Sequence, residues 1–286
     1  MKLIKITALA ALASLTFTAH AASVWKVSND KHSLYIGGTI HLLAPEDYPL
    51  PTEYDTAFAQ ADKVVFETDM VAVNSVEFQQ QMFASLMYSD GTTVDKVLTA
   101  QTYAALKQHL AERNIPIEAM ASLKPSLIAV TLSVIEMQAL GFTSEGVDQF
   151  YSNKATVAGK PQAWLETPEQ QIAFLADLGK EDESGMIDYS LRDIKKMPTM
   201  INDLRTSWRD GDMQTMAKVA IDSFKADYPQ IYEDLLVARN QNWLPQIETM
   251  LGDQAVEFIM VGALHLAGPD SVLTQLAAKG YKIEKL

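Results

Sequence analysis

Val256-Glu257-Phe258-Ile259-Met260-Val261-Gly262-Ala263-Leu264-His265 is the stretch on which the fold turns. An apolar run of strand length that stops at a glycine reads as a buried strand, and here it delivers Gly262 and His265. Ser271 to Lys279 then suits a helix, and Tyr281-Lys282-Ile283 suits a last strand after Gly280. A strand, helix, strand unit favours a right-handed parallel crossover, so an α/β protein is expected.

Working outward, Gly262-Ala263-Leu264-His265-Leu266-Ala267-Gly268-Pro269 has an echo near the other end, Gly38-Thr39-Ile40-His41-Leu42-Leu43-Ala44-Pro45. The chain holds five histidines, so two inside matching octets mark where to look for chemistry. Val24 to Ser28 and Ser33 to Gly37 flank the turn-rich Asn29-Asp30-Lys31-His32, the pattern of a hairpin whose second strand runs into Gly38 and His41. After Pro51 a helical period covers Tyr54, Ala57, Phe58 and Ala61, and Lys63-Val64-Val65-Phe66 reads as a short buried strand ending at Glu67-Thr68-Asp69. The expected architecture is a mixed central sheet formed from N- and C-terminal segments, with a large helical insertion or cap over about 75–251.

Within that middle, Thr99 reads as a helix cap and Pro125 as a helix start. Thr156-Val157-Ala158, Gly159-Lys160-Pro161 and Gln162-Ala163-Trp164-Leu165 read as a hairpin or as a turn leading to a strand, with a helix from Pro168. His32 falls in the first hairpin turn, and His109 has Lys107 and Gln108 beside it, so both are expected in solvent. Met82, Phe83, Leu86 and Met87 form an apolar helix face suited to core packing.

Composition bounds the function classes. Residues 1–21 carry Lys2 and Lys5, an apolar run from Ile6 to Thr18 and Ala19-His20-Ala21, the layout of an export signal with its cleavage site. The expectation is a periplasmic or secreted protein, 22–286, with no stable membrane insertion after signal removal. The chain has no cysteine, which excludes disulfides, a cysteine nucleophile and thiolate zinc sites. Its formal net charge of −13 argues against nucleic acid as a partner, since phosphate backbones call for concentrated Lys and Arg.

His41, Glu67 and His265 each follow an apolar strand closely. Carboxyl ends of strands in α/β sheets form the crevice where ligands bind, so the three can converge despite their separation in sequence. Two imidazoles and a carboxylate make a catalytic metal set that leaves a position for water. The plainer reading of each histidine is a hydrogen-bonded core residue. The chain lacks H-E-x-x-H, G-x-S-x-G, G-x-x-x-x-G-K and G-x-G-x-x-G, which disfavours ordinary zincins, α/β-hydrolase esterases and nucleotide enzymes.

Paired G-x-x-H motifs near the two ends, Phe66-Glu67-Thr68-Asp69, Leu165-Glu166-Thr167-Pro168-Glu169-Gln170, Arg239-Asn240-Gln241-Asn242-Trp243 and the closing Gly280-Tyr281 together resemble the TraB/GumN family, relatives of the Tiki-like metalloproteases. The resemblance spans nearly all of 22–286. It implies metal-dependent hydrolysis, with His41, Glu67 and His265 at metal positions and Glu67 as ligand or as general base toward metal-bound water. Arg239 matches the family's Arg-Asn motif and suits a substrate carboxylate or a tetrahedral oxyanion, or else a helix-end salt bridge. Asp148 and Glu166 also fall in family-like stretches; Asp148 reads best as a helix cap, Glu166 as a cap or a support behind the ligands.

The expected function is an exported metal-dependent hydrolase, peptidase-like, acting on a peptide or other small carbonyl substrate. Its cofactor would be a divalent ion, with manganese, cobalt, zinc and iron all compatible with the set. The alternative is a non-catalytic periplasmic protein that binds a peptide or a haem-like ligand, a function that some remote relatives suggest.

Overall fold

The computed structural model describes residues 22–286, so the segment read as an export signal lies outside the described residues. Among the described residues eight strands run in chain order: β1 (Val24–Ser28), β2 (Ser33–Thr39), β3 (Leu42–Leu43), β4 (Lys63–Phe66), β5 (Ser144–Glu145), β6 (Gln162–Trp164), β7 (Glu257–Gly262) and β8 (Lys282–Lys285). Six of them form one sheet in the order β6-β4-β7-β2-β1-β8, while β3 and β5 pair separately. β6, β4, β7 and β2 are mutually parallel, and β1 runs antiparallel to both β2 and β8. Five of the six strands thus come from the two end segments, as the sequence indicates, and the edge strand β6 comes from within the middle.

The first hairpin forms because Asn29 closes it: its side-chain oxygen accepts the Lys31 and His32 N–H groups, and its own N–H bonds the His32 carbonyl. Side chains alternate across the sheet with period two, so each strand feeds two cores. Val64, Phe66, Phe258 and Met260 join Tyr54, Tyr151 and Trp208 on one face. Val65, Ile259 and Val261 join Trp243, Leu244 and Ile247 on the other.

The middle of the chain has a core of its own. Leu106 and Leu110 from helix Ala100–Glu112, Ile128 and Leu132 from Pro125–Ala139, and Ile187, Leu191 and Ile194 from Glu183–Asp210 pack together away from the sheet. Thr99 caps the first of these helices by accepting the Thr102 N–H, and Pro125 opens the second. His109 departs from expectation: it is 7 % exposed, with Nε2 facing Glu136 at 3.3 Å. Among the described residues no helix is long and apolar enough to cross a membrane.

Candidate functional site

β4, β7 and β2 are neighbours and parallel, so their carboxyl ends share one edge of the sheet. His41 lies just beyond β2, Glu67 directly follows β4, and His265 sits in the single turn Ala263–Leu266 after β7. The two octets touch there: a Cβ on Gly38 would stand 3.2 Å from Ala263, a tight contact that glycine relieves.

The loop carrying His41 is pinned from several sides. The Gly38 carbonyl accepts the Tyr54 hydroxyl and, at 2.9 Å, the Trp208 indole N–H, while the Ile40 carbonyl accepts the Val147 N–H at 3.1 Å. His41 Nδ1–H donates to Asp148 Oδ2 at 2.7 Å. The Asp148 carboxylate is the main reason the His41 imidazole is pushed up to about 9, and Glu67 adds to it. The imidazole itself is open, its side chain 68 % exposed against 10 % for Asp148. Asp148 is therefore not the helix cap expected: Gly146 takes the N-cap position of helix Val147–Ala158 without a side-chain bond, and Asp148, one residue inside, turns to His41.

Glu67 and His265 meet a different partner. Glu67 Oε1 accepts the Gly262 N–H at 2.6 Å and Oε2 accepts Arg239 Nη2–H at 2.6 Å. Burial alone would raise its carboxyl, but Arg239, the raised His41 imidazole and the Gly262 N–H outweigh that and hold it down to about 2. Asn240 Nδ2 donates to the Asp270 carbonyl at 2.9 Å, which turns its Oδ1 to His265 Nδ1 at 2.6 Å. The proton therefore sits on Nδ1, and Nε2 offers a lone pair that accepts Arg239 Nη1–H at 3.2 Å. Burial pushes this imidazole down to about 3, so it stays neutral.

Arg239 is anchored from behind. Its Nε and Nη2 donate to the two oxygens of Glu166 at 2.9 and 2.8 Å, and Trp243 Nε1–H donates to Glu166 Oε1 at 2.9 Å. The guanidinium lies over the Trp243 ring at 4.8 Å and the Phe174 ring at 5.5 Å. Burial opposes its charge, but the two carboxylates hold it above the usual arginine range. A π-helical turn, Glu233–Val237, runs straight into helix Ala238–Met250, whose first turns present Arg239, Asn240 and Trp243 to the strand ends.

A cleft of about 310 Å³ opens in front of this cluster. Its polar side holds His41, Glu67, Asp148 and Thr68; its apolar side includes Phe78 and Met82 from helix Val76–Leu86 and Ile172 and Leu175 from Pro168–Asp177. Met82 therefore faces the cleft, while Phe83 is 47 % exposed and Leu86 is buried. Arg239 and His265 stand behind Glu67 rather than on the cleft wall. Thr68 Oγ1 and Asp148 Oδ1 are buried without a hydrogen-bond partner among the described residues. The sequence does not single out Thr68, and of the two readings of Glu166 the support behind the site is the one found, since Thr167 caps the helix and Glu166 grips Arg239. The Arg239 to Trp243 spacing of four, one face of a helix, was the available signal for the clamp.

The donor types suit the divalent ion that the family resemblance implies, but their placement does not. Among the described residues no three His, Cys, Asp or Glu side chains converge on one point. The His265 lone pair is met by Arg239, and both Glu67 oxygens accept N–H donors. As placed, the residues do not fit a three-ligand metal centre.

The chain matches the TraB/PrgY/gumN family over residues 23–285 and belongs to it. It is similar to the uncharacterized protein YbaP of Shigella flexneri, 26% identical over 241 residues that cover 84% of this chain and 85% of that one. It is also similar to the uncharacterized protein YbaP of Escherichia coli (strain K12), 25% identical over 233 residues, 81% and 83% of the two chains. No solved structure gives a significant match.

Proposed function

We propose that the protein is an exported hydrolase whose cleft attacks the carbonyl of a peptide or other small substrate. The observation that carries this reading is the His41–Asp148 pair at the strand ends, with Nδ1 committed to the carboxylate and the open imidazole beside Glu67 in one cleft. A carboxylate on Nδ1 fixes the ring's tautomer and leaves Nε2 to handle protons. In the proposed step His41 Nε2 takes a proton from a water whose oxygen bonds to the carbonyl carbon, and the C=O electron pair moves to oxygen. The Thr68 hydroxyl, buried and unpartnered at the cleft wall, turns toward the cleft and donates to that oxyanion. Collapse breaks the bond to the leaving group, which takes the proton back from Nε2.

Glu67 is a poor base here, with its carboxyl near 2, and it instead favours the imidazolium that forms on His41. Arg239 holds Glu67 in place, so its part is positioning. Export rests on the signal-like residues 1–21. The test is a library of peptides and small esters incubated with purified protein. The expected result is turnover of at least one member, reduced about 10- to 100-fold in Thr68→Val. A folded protein inert to the whole library, or Thr68→Val at full rate on every substrate found, contradicts the assignment.

A further inference from the structure

We infer that Arg239 is the resident cation of this centre, and that its guanidinium fills the place between Glu67 and His265 where a divalent ion would otherwise be bound. The inference is independent of the hydrolytic reading, because it rests on the contacts alone. One side chain meets two of the three expected metal ligands: Nη2 donates to Glu67 Oε2 at 2.6 Å and Nη1 donates to His265 Nε2 at 3.2 Å. A zinc to imidazole bond is about 2.0–2.1 Å, so an ion on that lone pair would collide with Nη1. Like charge repels as well, and with little water between them the repulsion is weakly screened.

The guanidinium cannot easily yield. Glu166 grips it through a bidentate pair, Trp243 and Phe174 flank it, and Glu166 is itself fixed by the Trp243 indole N–H. Asn240 holds His265 so that its lone pair faces the arginine rather than the cleft. The motif that resembles a metal-enzyme signature has here become a cluster of two carboxylates, one guanidinium and one neutral imidazole, in which the guanidinium offsets one of the two negative charges. Its cation is covalently attached to the chain.

The experiment is calorimetric titration of the chelator-stripped full protein with manganese, cobalt and zinc, repeated on Arg239→Met and on Arg239→Met/His265→Ala. Wild type should show no stoichiometric site. Arg239→Met should gain one equivalent with affinity raised about tenfold or more, and the double variant should lose it. If Arg239→Met fails to fold by circular dichroism, Glu166→Gln, which loosens the grip on the guanidinium, should raise metal affinity in the same direction. One tight equivalent in wild type, or no gain in a folded variant, overturns the inference. Turnover is not read, so the outcome is separable from that of the hydrolase proposal.

Discussion

At the scale of the residue, His41 depends most on a single neighbour. Its imidazole is held at about 9 chiefly by Asp148, and the proposed chemistry needs its neutral form. The value of kcat/KM should therefore rise with pH through the neutral range and level off near 9. Asp148→Asn removes the main cause and should bring that limb down toward the ordinary histidine range, about 6.5. A pH–rate profile of the two proteins checks this, and an unmoved limb would show that Asp148 does not govern His41. His41, Glu67 and His265 were legible in the sequence because each follows a recognisable strand. Asp148, Glu166 and Arg239 were picked out as well, but their pairings were not: Asp148 lies 107 residues from His41 and Glu166 lies 73 from Arg239, and local spacing does not encode which distant side chains meet.

Elements come together at this site through close backbone approach. A Cβ on Gly146 would stand 2.4 Å from the His41 carbonyl carbon and oxygen, so helix Val147–Ala158 can start against that loop only with glycine at its N-cap. Gly146→Ala should cost about 1–3 kcal/mol in urea denaturation and shift His41 away from Asp148, since a crowded core yields by moving backbone. Wild-type stability in the variant would show that the loop has slack. The strands were readable from their apolar runs, but the segment around Gly159 was only half so. Gly159, at φ 65°, ends helix Val147–Ala158 in the left-handed region, and β6 then pairs parallel with β4 instead of folding back as a hairpin. His109 was misjudged because Lys107 and Gln108 flank it. Its spacing of three from Leu106, which is fully buried, places it on the core face.

Across the whole molecule, the sheet joins the chain's two ends at the cluster around His265, and this ties stability to pH. In the unfolded chain His265 would titrate near 6.5, whereas burial holds it at about 3 in the fold. Below 6.5 the unfolded chain takes up a proton that the fold refuses, so stability should fall as pH drops from 6.5 toward 3, by about 1.4 kcal/mol per pH unit for this one group. Glu67, held down to about 2 against an ordinary 4.5, adds a further loss below 4.5. Denaturation of chelator-stripped protein between neutral and acid pH should show this decline, with its upper part flattened in His265→Gln; equal slopes in both proteins would exclude His265 as the cause.

The mixed sheet from both ends and the helical middle were legible as a pattern, because strands alternate and helices repeat. The second core of the middle helices, and the way the first and last octets meet, come from packing between distant segments, which periodicity does not report. The central claim is that the strand ends and the middle helices enclose a cleft in which His41, oriented by Asp148, performs hydrolysis without help from a bound metal. The most direct measurement is kcat/KM of wild type and His41→Gln on the best library substrate, each in excess chelator. The account predicts that wild type stays active and that His41→Gln falls by about 10²–10⁴. A wild type silenced by chelator and restored by a divalent ion, or a His41→Gln variant as fast as wild type, would contradict it.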